Sequence, residues 1–207
     1  AFEVSGLPWH WDQDLYRQLL EVTGGKERIR YFIESFDAPG APTDSLDEFI
    51  AGLHASKTEA YTGMINTGQV DFRPGIRDLI ADATKRGFRL AIATTTTPAN
   101  VDALLAETLG GSDMFEVICA GDSVANKKPA PDVYELALKK LGLPGQACVA
   151  LEDSRNGLLS AAAAGIPVVM TPGIYTAGQD FAEAALVLDD LAATDPEDIY
   201  TLTSQAE

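Results

Sequence analysis

From Gly87 onward the chain alternates short apolar runs with helical patterns, and few architectures accommodate that alternation. The runs are Arg89 to Ala93, Val117 to Ala120, Ala147 to Leu151, Pro167 to Met170 and Leu186 to Leu188, with helices expected to begin near Pro98, Pro131, Ser154 and Asp195. Cys148-Val149-Ala150-Leu151 is apolar at successive positions, the pattern of a strand covered by helices on both faces. The expectation is a doubly wound, Rossmann-like α/β fold with a mainly parallel sheet. Ala161 to Ala164, a small-residue helix face ending at Gly165, suits close helix-on-sheet packing.

Before residue 73 the character changes. Helical periodicity runs through Leu15 to Val22, Glu27 to Phe36 and Leu46 to Met64, broken by the turn-rich Asp37-Ala38-Pro39-Gly40-Ala41-Pro42. Asp71-Phe72-Arg73-Pro74-Gly75 interrupts both periods, and Pro74 is suited to open the next helix. Two units are expected, a helical one over 1–72 and an α/β one over 73–207. With 46% hydrophobic residues among 207, the chain can bury one substantial core and a smaller satellite.

A formal charge of −16 argues against nucleic acid and anionic membranes as partners, because the long-range field repels both. A phosphorylated substrate therefore needs locally concentrated cations. No apolar run is long enough to span a bilayer, and Ala1-Phe2-Glu3-Val4-Ser5-Gly6 is neither a signal-like start nor an initiator methionine. Cys119 and Cys148 each lie in a short apolar run and read as reduced core residues of a cytoplasmic protein.

Three short motifs carry the chemistry. Glu152 and Asp153 stand where a buried strand gives way to a helix, and two adjacent carboxylates in a crevice call for a cation, for which Mg²⁺ fits best. Read alone, Asp153 or Ser154 is simply a helix cap. Lys128, held before Pro129, can present its ammonium to a phosphoryl group; read alone, it is a solvated lysine. Thr94 and Thr95 end an apolar run where hydroxyls and N–H groups can hold phosphate oxygens, although threonine is also a good strand residue. In this order on successive βα units, the strand ends can converge on one site. Gly24-Gly25 followed by Lys26 and Arg28 at a helix start reads either as an anion site or as a plain turn. His10 and His54 have no metal-ligand spacing, and Trp9 and Trp11 read as packing residues.

Ala93-Thr94-Thr95, Lys128-Pro129-Ala130-Pro131-Asp132 and Leu151-Glu152-Asp153-Ser154-Arg155-Asn156-Gly157 resemble motifs two, three and four of the haloacid dehalogenase-like phosphotransferases. The resemblance covers nearly the whole chain and implies an α-helical cap of the β-phosphoglucomutase type over 1–72. Thr23 to Ile29, Thr94 to Thr97 and Thr171 to Thr176 look most like the CbbY subfamily. That subfamily is associated with the Calvin cycle and removes the 1-phosphate of xylulose-1,5-bisphosphate. The resemblance implies a magnesium-dependent phosphatase with an aspartyl-phosphate intermediate. Asp153 and Glu152 then hold Mg²⁺, and Lys128 and Thr94 stabilise charge. Thr95, Gly25, Lys26, Arg28 and Lys57 contact a small phosphorylated sugar, with Lys57 assigned by its cap position alone.

The family's first motif, Asp-x-Asp-x-Thr after a buried strand, is not found. Asp12-Gln13-Asp14 follows Trp9-His10-Trp11 and reads as a helix start. In the family that strand lies between those ending at Thr94 and Leu151, so the sequence is expected to be an N-terminally incomplete form of the gene product, beginning in the helix after motif one. Phosphoglycolate phosphatase and β-phosphoglucomutase are the alternatives within the enzyme class, and a non-catalytic phosphate-binding chain is the alternative outside it. A monomer in the bacterial cytoplasm is expected, with the chloroplast stroma as the other location.

Overall fold

The computed structural model describes residues 1–203, so the last four residues of the expected 73–207 unit lie outside the described ones. Three helices come first: α1 (Gln13–Leu19), α2 (Gly25–Ser35) and α3 (Leu46–Asn66). The Asp12 side chain accepts from the Leu15 N–H at 2.8 Å and Asp14 stands in the first turn, so the lone Asp-x-Asp is a helix start. Trp9, Leu19, Ile29, Phe32, Ile50 and Leu53 form an apolar cluster drawn wholly from this region, with Trp11 packed against it. Trp9 and Trp11 both meet Phe32 edge-on, at 5.3 and 5.2 Å between centroids.

Helix α4 (Ile76–Lys85) leads into β1 (Leu90–Ala93), α5 (Pro98–Leu109), β2 (Phe115–Cys119), α6 (Asp132–Leu141), β3 (Ala150–Glu152), α7 (Arg155–Ala163), β4 (Val168–Met170), β5 (Leu186–Val187) and α8 (Pro196–Tyr200). The alternating pattern thus becomes βα units with parallel pairing throughout. Val168, Val169 and Met170 are all essentially inaccessible, as expected for a strand covered on both faces. Cys119 is buried, Cys148 is half-buried, and neither is bridged.

The structure corrects two sequence expectations. Residues 145–147 form a 3₁₀ turn, so β3 begins at Ala150 and leaves Cys148 and Val149 outside the strand. Leu151 is 38% exposed on the free edge of β3, which pairs only with β4 while β1 pairs only with β2, as expected where the family's first strand is not found between them. Among the described residues no strand joins β1 to β3. Pro74 does not open α4, since Gly75 is the N-cap at φ 82°.

Gly75 is required twice over: its φ lies in the left-handed region, and a Cβ there would overlap the Leu191 carbonyl. We predict that Gly75→Ala costs ~2 kcal/mol or more, lowering the melting temperature by roughly 4–8 °C, as read by circular dichroism. An unchanged midpoint would contradict this packing.

Candidate active site

The carboxyl ends of β1 and β3 carry two of the three sequence motifs. After β1, the Thr94 N–H donates to the Cys119 carbonyl at 2.9 Å, continuing the ladder by one residue. Its Oγ1 accepts from the Thr96 N–H at 3.2 Å, and Thr97 caps α5. After β3, Ser154 takes the capping role, its Oγ accepting from the Gly157 N–H at 3.3 Å. Asp153 is thereby released from capping and is exposed. Thr94, Thr95, Lys128, Glu152 and Asp153 all line one cleft of about 510 Å³, which Tyr16, Thr23, Gly24 and Arg28 close from the helical side. Open α/β sheets place ligands at this edge, outside the carboxyl ends of their strands.

Lys128 reaches across the space between the two sheets. Its ammonium donates to the Ala93 carbonyl at 2.9 Å and to Glu152 Oε1, linking the end of β1 to the end of β3. The pair is nearly dry, with side chains 11% and 8% exposed. Tyr134 of α6 donates its hydroxyl to the same Oε1, and its ring centroid lies 4.7 Å from the ammonium. Burial first, then the Glu152 charge, holds the Tyr134 hydroxyl well above its ordinary pKa, so it stays a donor. Glu152 Oε2 packs on Gly157, where a Cβ would overlap the carboxylate.

The structure thus gives Glu152 a different occupation from the metal-ligand role expected for it: its carboxylate is buried and taken by Lys128 and Tyr134. Asp153 lines the same cleft and is exposed, and among the described residues it forms no ion pair. Among the described residues no group of three or more His, Cys, Asp or Glu side chains could hold a metal. The oxygen donors nonetheless suit Mg²⁺, which keeps several waters and binds through one or two carboxylates together with substrate phosphate.

Of the expected cap residues, Arg28 reaches the cleft. Its guanidinium donates to the Leu19 and Val22 carbonyls at 3.1 and 3.2 Å and lies 5.6 Å from the Tyr16 ring centroid. Gly25, Lys26 and Lys57 do not line it. Gly25 opens α2 with its Cα turned to the His54 ring, leaving no room for a Cβ. Lys26, one residue on along a helix of 3.6 residues per turn, faces a second cleft between α2 and α3. Lys57 is exposed, its ammonium 5.2 Å from the Tyr61 ring centroid. Burial and then Arg28 lower the Lys57 pKa, and burial followed by Lys57 and Lys26 lowers that of His54.

Sequence reasoning passed over three side chains. Tyr134 reads as an ordinary core position of α6. Asn156, within the third motif, donates to the Glu21 carbonyl at 3.1 Å and to Thr23 Oγ1 at 2.8 Å, tying the helical region to the cleft. Lys127 pairs with Glu27 of α2 at 2.9 Å and with Asp122 at 3.2 Å, so the adjacent lysines serve two different contacts. Only pairing across the fold reveals any of the three.

Removing one member of a buried ion pair strands the other. Lys128→Ala is therefore expected to destabilise the protein by roughly 3–5 kcal/mol, and adding Glu152→Ala should recover part of the loss, as read from urea unfolding. If the double variant were less stable than the single one by the full additive amount, the pair would not be coupled.

Comparison with known proteins shows the family. The family model of haloacid dehalogenase-like hydrolases matches residues 11–165. CbbY of Rhodobacter capsulatus is 53% identical over 195 residues, covering 93% of this chain and 84% of that protein. Crystal structures of CbbY from Rhodobacter sphaeroides, one in complex with phosphate and one of a mutant in complex with xylulose-1,5-bisphosphate, superpose with TM-scores of 0.85 and 0.86. Both are 46% identical to this chain and cover 93% of it and 84% of theirs. With strand ends, lysine and carboxylates in these places, the chain belongs to the haloacid dehalogenase-like hydrolases, in the group of CbbY proteins.

Proposed function

We propose that the protein is a magnesium-dependent sugar-phosphate phosphatase whose substrate is xylulose-1,5-bisphosphate. The observation that carries this reading is the Lys128 ammonium at the floor of a cleft that also holds Thr94, Thr95 and Asp153. Lys128 is fixed by its partners before any ligand arrives, so its charge needs little reorganisation when negative charge builds on a transferring phosphoryl group. Thr94 and Thr95 supply hydroxyl and N–H donors to phosphate oxygens. Asp153, with Glu152 behind it, would hold Mg²⁺, which when bound neutralises phosphoryl charge.

The helical region, taken as a cap over 1–72 on a core beginning at residue 73, supplies recognition. Arg28 is its cation in the cleft, and Lys26 and Lys57 lie on the same two helices for a second phosphate group. The aspartyl-phosphate route calls for a nucleophilic and an acid–base aspartate. Among the described residues the cleft holds only Asp153 of that type, so these two roles are assigned to no residue of this chain. Phosphate binding without turnover is the second reading, since Lys128, Thr94 and Thr95 can hold an anion without acting on it.

Phosphate release by the full-length protein separates the readings. We expect release from xylulose-1,5-bisphosphate that exceeds release from phosphoglycolate, returns no phosphate to β-glucose-1-phosphate, stops on chelation of Mg²⁺, and falls by ~10²-fold or more in Lys128→Ala. Faster hydrolysis of phosphoglycolate would overturn the substrate. Phosphate binding with no release from any ester would leave the second reading.

A further inference from the structure

We propose that Tyr134 is a positioning residue for the phosphate site, aiming the Lys128 ammonium through its joint hold on Lys128 and Glu152; this rests on the reading of the cleft as a phosphate site. A lysine ammonium has three N–H donors. One is used on the Ala93 carbonyl and one on Glu152 Oε1, and the Tyr134 ring covers a further side at 4.7 Å. The third N–H is used by neither acceptor, and Lys128 lines the cleft.

That orientation depends on where Oε1 stands. Lys128 alone cannot fix it, since a flexible four-carbon stem follows its acceptor. Two things hold the carboxylate independently of the lysine: the Tyr134 hydroxyl on Oε1, and the close contact of Oε2 with Gly157 at the first turn of α7. Tyr134 itself is 8% exposed and belongs to the main apolar cluster with Val133, Ala137, Leu158 and Met170, so its ring has little freedom to shift. The hydroxyl is therefore a rigid donor on a rigid helix. Phenylalanine would keep the ring under the ammonium and the packing of the cluster, but would release Glu152 Oε1 to follow the lysine.

If Tyr134 acts through Glu152, the two must be coupled. The test is a double-mutant cycle of Tyr134→Phe and Glu152→Gln in the full-length protein, read by calorimetric titration with inorganic phosphate and accompanied by thermal unfolding. The expected result is that Tyr134→Phe weakens phosphate binding about tenfold in the wild-type background and less than about twofold when residue 152 is glutamine. Equal weakening in both backgrounds, or none in the first, overturns the proposal. So does a fall in melting temperature alone, which is what a purely structural hydroxyl would give. The phosphatase reading fails separately: a wild-type protein that binds phosphate but cleaves no ester leaves the cycle fully readable, whereas one that binds no phosphate overturns both.

Discussion

The buried Lys128–Glu152 pair is the interaction on which the rest of the cleft depends. Its two charges come from different parts of the chain, one from the loop before α6 and one from the last residue of β3, and the ammonium also holds the end of β1. The contact therefore spans from the end of β1 to the end of β3 at the edge where the cleft opens. Buried pairs of this kind seldom stabilise a fold relative to well-packed apolar residues, because desolvation consumes most of the attraction. The presence of one here is therefore better explained by the charge it presents than by the stability it adds.

The same pair resolves a conflict in the chain's electrostatics. A protein with a formal charge of −16 is a poor host for a phosphate ester at long range. Many surface acids are paired, as in Arg89–Glu116 and Arg155–Glu183, but these exposed pairs are screened and contribute little. What matters is the local arrangement: Glu152 is paired with Lys128, while the exposed Asp153 lines the same cleft as Lys128 and Arg28.

Much of this was legible in the sequence, for physical reasons that differ by residue. The strand ends were readable because continuous apolar runs followed by Thr94 and by Asp153-Ser154 mark a change from buried ladder to helix start. The identity of the cap residue at α7 was not decidable until Ser154 Oγ was seen to take the Gly157 N–H, which frees Asp153. The partner of Glu152 was hidden for a different reason: Lys128 and Tyr134 are 24 and 18 residues away, and nothing in a tyrosine on the buried face of a helix distinguishes a core ring from a hydroxyl aimed at a carboxylate. Of the cap cations, Arg28 lines the cleft while Lys26, two residues earlier on α2, lines a second cleft between α2 and α3, a separation that helical position sets and that spacing alone does not show.

The central claim, that the cleft is a phosphate site organised by Lys128, is tested most directly by a crystal structure of the full-length protein grown with inorganic phosphate. The account predicts an anion within hydrogen-bond distance of the Lys128 ammonium and the Thr94–Thr95 segment, with the Lys128–Glu152–Tyr134 contacts unchanged. A phosphate held only by Lys26 and Lys57 on the helical cap, with none at Lys128, would contradict it.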